Sequence, residues 1–304
     1  MGAVNLLQEL EPVVAENLER HLAAAREWHP HDYVPWSRGR DFAFLGGEDW
    51  RPEDSPLDPV AKTAMVLNLL TEDNLPSYHR EIATRFGRDD AWGQWVGRWT
   101  AEEGRHGIAM RDYLLVTRGV DPVELERARM AQMSVGYDSQ GKTPLQTLAY
   151  VSFQELATRV SHRNTGRATG CPVAEKLLAR ISTDENLHMV FYRNLMGAAL
   201  ELAPDEAMEA IRDEVVGFSM PGAAMTDFAR ASIVLAKAGI YDLRQHHDDV
   251  LAPVLRHWRI LDRTDFGARG EQAREELAAF LADLDARATK FTERRDRALA
   301  TASA

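Results

Sequence analysis

Cysteine is almost absent from this sequence, in which Cys171 is the single thiol among 304 residues. One thiol excludes a disulfide framework within the chain, and it also excludes an iron–sulfur cluster held by several cysteines. Basic residues are scarce relative to acidic ones, with 36 Lys and Arg against 47 Asp and Glu, so the formal net charge is −11. This acidic balance argues against nucleic acid as a partner.

Long hydrophobic runs are also missing. No apolar stretch approaches the roughly 18 residues that suggest a membrane span, and residues 1–10 contain no basic segment followed by an apolar one. No segment shows the strict polar–apolar alternation of a strand. We therefore expect an all-α protein that does not span a membrane, and we expect it in the reducing cytoplasm.

What the sequence does contain is a pair of acid–histidine motifs. Glu103 is followed three residues later by His106, and Glu185 is followed at the same interval by His188. Residues i and i+3 lie about one turn apart on one helix face. Each motif therefore presents a carboxylate oxygen and an imidazole nitrogen to the same point, which is a chelating geometry.

Each motif is preceded by a lone helical glutamate. Glu72 comes 31 residues before Glu103, and Glu155 comes 30 residues before Glu185. The two halves superpose with an offset of 82 or 83 residues, which indicates the duplication of a helix pair. Four glutamates and two histidines on four helices match the ligand set of ferritin-like di-iron carboxylate proteins.

The candidate ligands are all in register with apolar residues at spacings of three and four, as inward-facing ligands require. Their seams include Met65, Trp95, Trp99, Met110, Leu148, Val151, Ile181 and Tyr192. An unpaired carboxylate in such a seam loses several kcal/mol of solvation, and a shared cation removes that penalty. The alternative is a set of solvated charges on helix surfaces, which is typical of one Glu-x-x-His motif alone.

Two further acids leave an ambiguity, because residues i and i+4 also share a helix face. Glu102 and Asp184 are therefore alternatives to Glu103 and Glu185 as chelating acids. The i+3 choice follows the di-iron template. It leaves Asp184 as an acceptor that orients a ligand imidazole through its other ring N–H, or as a simple ion pair or cap.

The duplicated motif predicts one ferritin-like domain over residues 1–304, with flanking helices around a four-helix core. Its parts are an opening helix with an irregular arm (1–56), four ligand helices (57–201) and accessory helices (202–304). Pro76 lies inside the first ligand helix, which is predicted over 57–86. Because proline cannot donate to the carbonyl of Glu72, we expect a kink beside this ligand.

The chain resembles the soluble acyl-[acyl-carrier-protein] desaturases of plant plastids and actinobacteria. The resemblance rests on the motifs TEDNLPSY (71–78), WTAEEGRHG (99–107), SFQELAT (152–158), SHRNT (161–165) and DENLH (184–188). It extends outward to WHPHDYVP (28–35), GIY (239–241) and RHW (256–258), and so covers nearly the whole chain.

This resemblance implies a homodimeric di-iron enzyme of fatty acid biosynthesis. Such an enzyme uses O₂ and two electrons from ferredoxin or a similar donor to introduce a cis double bond into an acyl chain on acyl carrier protein. The ligands of the two iron ions carried over by position are Glu72, Glu103, His106, Glu155, Glu185 and His188. Thr158 matches a threonine beside the oxygen-binding face of the cluster. Trp28, Asp184 and His106 match a route for electrons from the surface to the iron.

Departures from the plant pattern leave the acyl chain length and the double-bond position open. Asn186 and Leu187 replace two basic residues of the plant enzymes, and the stretch between Pro221 and Gly239 is shorter than theirs. An acidic carrier needs a local basic surface, for which the candidates are Arg159, Arg163, Arg167, Lys176 and Arg180. The alternative functions are a di-iron hydroxylase or oxidase, an iron-storage protein and a metal-dependent binding scaffold.

Overall fold

The computed structural model describes residues 5–224 and 227–302, and every regular element within them is helical, as the all-α prediction required. The helices are α1 (Leu6–Ala24), α2 (Pro30–Tyr33), α3 (Pro59–Glu72), α4 (Leu75–Phe86), α5 (Asp90–Val116), α6 (Pro122–Val135), α7 (Pro144–Ala168), α8 (Pro172–Leu202), α9 (Pro204–Val216), α10 (Phe228–Lys237), α11 (Leu243–Gln245), α12 (Ala252–His257) and α13 (Ala268–Ala302). A π-helical turn, His246–Leu251, joins α11 to α12. No helix of the described residues is both long and apolar enough to cross a membrane.

Several of these helices begin at a polar cap followed by proline. The Asp58 carboxylate accepts from the first free backbone N–H groups of α3, and Thr143 forms a capping box with Gln146 at the start of α7. Proline then occupies the first turn of both helices, where its missing N–H breaks no hydrogen bond. These local signals place the start of α7 11 residues, or roughly 16 Å, before Glu155.

The core of the fold is a ring of four helices. Helix α3 packs on α5 and α7, and α8 also packs on α5 and α7, with the α7–α8 contact the most extensive within the described residues. Around this ring, α1 covers α5 and α8, while α9 packs on α7, α8 and α13. The ferritin-like four-helix core with flanking helices is therefore confirmed.

The first ligand helix differs from its prediction as one kinked helix over 57–86. The chain instead leaves α3 at Glu72 and starts α4 at Leu75, with Pro76 in the first turn of α4. The reason is that a proline restricts the residue before it and removes one donor, which a new helix start tolerates better than a helix interior does. Glu72 is consequently the last residue of its helix.

Two apolar clusters pack on either side of the middle of the ring. Along α5, the first cluster ends at Trp99 and the second begins at Ala109. Along α8, the second cluster ends at Ile181 and the first begins at Met189. Both acid–histidine motifs lie in the gap between the clusters, so apolar side chains seal the polar centre from two directions.

Candidate metal centre

The six ligands predicted from the sequence converge in this gap. Each is at most 7% exposed, and the set comprises Glu72, Glu103, His106, Glu155, Glu185 and His188. They come from four different helices: one from the end of α3, two from α5, one from α7 and two from α8. Burial of four carboxylates in one place is costly unless a cation or a proton compensates each charge.

The ligand atoms fall into two overlapping groups. In one group, atoms of Glu72, Glu103, His106 and Glu185 lie within 4.8 Å of one another. The other group combines Glu103 and Glu185 with Glu155 and His188 at the same limit. Two four-ligand groups that share two glutamates have the composition of a dinuclear centre, with the shared carboxylates between the two positions.

The hydrogen bonding of these residues fits a metal pair. The Nδ1 atom of His188 is 2.8 Å from Glu103 Oε1, and that of His106 is 3.2 Å from Glu185 Oε1. Neither contact has hydrogen-bond geometry, and all four atoms, together with Glu155 Oε2, are buried without a hydrogen-bond partner among the described residues. Buried polar atoms are almost always bonded. Cations bound at this point would accept the lone pairs of all five atoms.

Electrostatics in the centre supports the same explanation. Burial raises the pKa of Glu185 well above its usual value, and the neighbouring Glu103 and Glu155 carboxylates add to the rise. Burial also opposes ionisation of Glu103, but the adjacent His106 and His188 hold its pKa below the usual range. The centre contains more carboxylates than it can hold ionised, which is the charge distribution that divalent cations neutralise.

Each candidate ligand histidine has a carboxylate at its other nitrogen. The Nε2 atom of His106 is 3.4 Å from Asp184, and that of His188 is 2.9 Å from Glu102. The two acids left ambiguous by the sequence therefore have equivalent positions in the two halves of the duplication. Such carboxylates leave Nδ1 free for a metal and hold the ring in one orientation.

Beyond these acids the two halves differ. Trp28, which is 4% exposed, donates from its indole nitrogen to Asp184 at 2.7 Å, and its ring stacks on that of His106 with 6.3 Å between centroids. The equivalent acid, Glu102, instead contacts His21 Nε2 at 2.9 Å. One side of the centre thus connects to an indole and the other to a buried imidazole.

The two lone glutamates are also held from outside. His162 Nε2 lies 2.7 Å from Glu72 Oε1, and the indole N–H of Trp99 donates to Glu155 Oε1 at 3.1 Å. Trp99 was predicted on an apolar seam and His162 lies in the motif SHRNT (161–165), but neither was given a role from the sequence. Their position one or two turns from a ligand was the available signal, since buried histidine and tryptophan usually need a polar partner.

Thr158 lines the cavity described below together with Glu155. Its hydroxyl donates to the backbone carbonyl of Gln154 at 2.9 Å and accepts from the Gln154 side chain at 2.9 Å. The hydroxyl is thus bonded one turn back along α7. A role in proton transfer stays a prediction.

Arg180 was predicted as an exposed charge for docking the carrier, but most of its side chain is buried. Its guanidinium forms a close ion pair with Asp184, and it lies 5.9 Å from the Trp28 ring. Arg105 donates to the same carboxylate at 3.0 Å. The Arg180 side chain is only 11% exposed, because an acid one turn away on α8 draws it inward. Arg159, Arg163, Arg167 and Lys176 remain exposed.

A narrow cavity of about 50 Å³ begins at the centre and continues between α4 and α7. At the metal end its wall contains Glu72, Glu103, Glu155 and Thr158. The next turns of the two helices supply Tyr78, Ile82, Val151 and Tyr150, and the far end contains Glu81, Arg85, Ser139 and Lys142. The cavity thus connects the polar far end with the candidate metal ligands.

Comparisons with known proteins agree with this geometry. The family model described as fatty acid desaturase matches residues 3–304. DesA1 of Mycobacterium tuberculosis, which carries the name acyl-[acyl-carrier-protein] desaturase, is 53% identical over 304 residues, covering 97% of this chain and 90% of DesA1. Stearoyl-[acyl-carrier-protein] 9-desaturase 2 of Oryza sativa subsp. indica is 29% identical over 316 residues, covering 96% of this chain and 77% of the rice protein.

A solved structure gives the same result for the fold. The X-ray structure of DesA2 from Mycobacterium tuberculosis H37Rv matches with a TM-score of 0.72 at 34% identity, covering 88% of this chain and 98% of DesA2. The family match, the DesA1 identity and this structural likeness each extend over most of the chain, and the family match includes all four helices of the core. The protein belongs to the fatty acid desaturase family.

Proposed function

We propose that the protein is an O₂-dependent di-iron desaturase of an acyl chain carried on acyl carrier protein. The observation that carries this proposal is that two four-ligand groups, sharing Glu103 and Glu185, border a narrow, mainly apolar cavity. Oxidation of an unactivated CH₂–CH₂ unit requires a redox-active metal and a site from which water is excluded. We infer the substrate class, an acyl chain bound to a carrier, from the names of DesA1 and of the rice 9-desaturase.

The residues that would hold the iron follow from the two groups. Glu72 and His106 belong to one position, Glu155 and His188 to the other, and Glu103 and Glu185 to both. When bound, the two iron ions supply the activation of O₂ and the oxidising power for removal of two hydrogen atoms. The overall reaction converts CH₂–CH₂, O₂, two electrons and two protons into CH=CH and two water molecules.

Electrons enter, in this proposal, through the Trp28 side of the centre. Trp28, Asp184 and His106 form one connected chain of contacts from the arm to a ligand. Arg105 and Arg180 neutralise the Asp184 carboxylate beside it. The donor class is a ferredoxin or a similar one-electron protein. The predicted homodimer remains a prediction.

Hydrogen bonds from outside the candidate ligand set hold the carboxylates of Glu72 and Glu155 in place. His162 at Glu72 and the Trp99 indole at Glu155 restrict the rotation of these two side chains. Oriented ligands lose less conformational freedom when a cation binds. The apolar clusters on both sides of the centre keep bulk water away from the reacting carbons.

Thr158→Val tests the proton role of the hydroxyl. We expect this variant to bind iron normally but to form unsaturated product about 10²-fold more slowly, or to consume more O₂ per double bond, because general acid–base groups typically contribute that much. Thr158→Ser, which keeps the hydroxyl, should behave like the unmodified protein. Product and O₂ are measured together. Equal rates and coupling for Thr158→Val would assign the hydroxyl to its Gln154 hydrogen bonds alone.

Carrier docking is expected on the exposed arginines of α7. Arg163→Glu with Arg167→Glu should raise the apparent KM for acyl carrier protein about tenfold and weaken its salt dependence, since like charges then face the acidic carrier. Iron content should not change. Arg88→Glu is the matched control, because Arg88 is exposed beyond the end of α4, at the opposite end of the bundle. An equal effect of the control would contradict a local docking surface.

Product analysis tests the function itself. Purified protein is reconstituted with Fe(II), supplied with reduced ferredoxin, O₂ and a panel of acyl chains on acyl carrier protein, and the products are identified by mass spectrometry. A mass decrease of two hydrogens with a double bond supports desaturation. Gain of one oxygen would instead assign the same centre to hydroxylation, and the absence of any oxidised acyl product would overturn both.

A further inference from the structure

The far end of the cavity is polar, whereas a hydrocarbon tail would require an apolar lining. Arg85 on α4 donates to the Ser139 hydroxyl at 3.2 Å, and that hydroxyl donates to Glu81 at 2.5 Å. Beside them, Lys142 donates to Glu214 at 2.5 Å. A saturated acyl tail offers none of these groups a hydrogen bond, so their presence in the wall indicates a different kind of ligand.

The charges at this end are not evenly paired. Glu81 also contacts Arg80 at 3.1 Å, and Glu214 is bound to Lys142, so both carboxylates have a cationic partner. Arg85 forms no ion pair with any carboxylate of the described residues. Its Nε atom is buried and has no hydrogen-bond partner there either. A buried donor left unpaired typically costs about 1–3 kcal/mol.

Tyr78 supplies a second unpaired hydrogen-bond donor, closer to the candidate metal centre. Its hydroxyl is buried without a hydrogen-bond partner in the described part of the chain, and its ring packs edge-on against Tyr137 at 5.3 Å. Tyr78 and Arg85 are seven residues apart on α4, which places them two turns apart on one helix face. Both residues line the same cavity. The cavity wall thus contains two unpaired donors from one helix face.

We propose that this end of the cavity is a subsite for a hydrogen-bond-accepting oxygen of the substrate, to which Arg85 and the Tyr78 hydroxyl donate. The proposal rests on the proposed function, since it takes the cavity to hold an acyl chain. The substrate would then be an acyl chain that carries a carbonyl or hydroxyl oxygen beyond the reacting carbons. Arginine and tyrosine are both suited to such an oxygen, because each presents a polar hydrogen in a fixed direction.

A second source of such oxygens is the amide-containing prosthetic arm of the carrier. The position of the exposed arginines indicates that the oxygen belongs to the acyl chain instead. Arg163 and Arg167 lie near the end of α7, whereas Thr147, which lines the cavity near its polar end, lies in the first turns of that helix. The 16 residues from Thr147 to Arg163 correspond to roughly 24 Å along α7. An arm that enters near the arginines would reach the metal centre before the polar end.

The test compares matched chains on the same carrier: a saturated chain, and a chain of equal length with one hydroxyl or keto group in its distal half. Binding is measured by fluorescence anisotropy of the labelled carrier, and turnover as kcat and KM. We expect the unmodified protein to prefer the oxygenated chain about tenfold or more, because a site built for a hydrogen bond rejects the analogue that lacks it. The preference should appear mainly in Kd and KM.

Variants then identify the donors. Arg85→Met and Tyr78→Phe should each weaken binding of the oxygenated chain more than binding of the saturated chain, which reduces the ratio of the two affinities toward one. Tyr78→Phe removes only an oxygen atom, which protects the test against loss of folding. Arg88→Met is the control for Arg85→Met, because its side chain is exposed outside the cavity, and it should leave the preference unchanged.

The outcomes are distinguishable. If the Arg85→Met penalty for both chains disappears when they are supplied as short thioesters without the prosthetic arm, the subsite binds the arm. If the unmodified protein binds both chains equally, and Arg85→Met changes the affinity for neither chain with or without the arm, the subsite does not exist. Ordered water is then the hydrogen-bond partner of Arg85 and Tyr78. Preferential binding without any unsaturated product would retain the subsite and overturn the proposed desaturation.

Discussion

Glu103→Gln is expected to abolish stoichiometric iron binding and to reduce turnover by more than ~10²-fold, which exceeds the usual effect of residues that only orient ligands. Glu103 belongs to both four-ligand groups, so its loss affects both metal positions at once. The amide keeps the side-chain volume but removes the negative charge. The measurement is iron per chain after anaerobic reconstitution with Fe(II), for which the unmodified protein should give two.

Thermal unfolding provides a second readout that does not depend on turnover. Binding to the native state stabilises by about 3 kcal/mol per site when free metal exceeds Kd by about 100-fold, so Fe(II) should raise the Tm of the unmodified protein by several degrees. Glu103→Gln should lose this shift. Glu175→Gln, at an exposed position of α8, should keep it. An Fe(II)-dependent Tm shift that survives in Glu103→Gln would show that Glu103 is not a ligand.

Trp28→Phe is expected to slow ferredoxin-driven turnover about ten- to a hundredfold, because it removes the indole hydrogen bond to Asp184 that connects the arm to His106. The aromatic ring remains, so the packing of the arm changes little. Reduction of the iron by ferredoxin is followed by stopped-flow absorbance. A single turnover that starts from chemically reduced iron should be nearly unaffected, since that reaction bypasses the route.

The comparison of these two reactions separates electron transfer from structure. If Trp28 only anchors the arm, both reactions should change by the same factor. Trp50→Phe is a matched control, because its indole also belongs to the irregular arm and donates to the backbone carbonyl of Arg118 at 2.8 Å, away from the centre. It should leave both reactions unchanged. A loss of ferredoxin-driven turnover in Trp50→Phe as large as that in Trp28→Phe would count against a specific route.

The six candidate ligands were readable from the sequence because a metal site on helices requires particular side chains at particular local spacings. Glu103 with His106, and Glu185 with His188, repeat at an interval that chance seldom produces. Their apolar neighbours on the same faces predicted burial, and the structure places all of them at most 7% exposed. The caps and prolines at the starts of α3 and α7 are local signals in the same sense, since they act within one turn.

Other features were not readable because they join distant segments. Trp28 and Asp184 are 156 residues apart and His21 and Glu102 are 81 residues apart, and no local pattern states which pairs meet. Arg180 was a candidate for a basic docking surface, but its side chain turns inward to Asp184. The resemblance supplied the Trp28 contact, whereas neither resemblance nor spacing identified His21.

The sequence by itself determined the helical class, the duplicated ligand set and the chemistry that such ligands support, because these depend on residue types and on helical periodicity. Only the tertiary structure decided where the first ligand helix ends, how the outer acids are partnered and which groups form the polar end of the cavity. Those outcomes depend on how helices from distant parts of the chain pack, and packing is determined by the sum of many weak contacts. Arg85 and Tyr78 illustrate the difference, since their unpaired donors become visible only when the surrounding helices are in place.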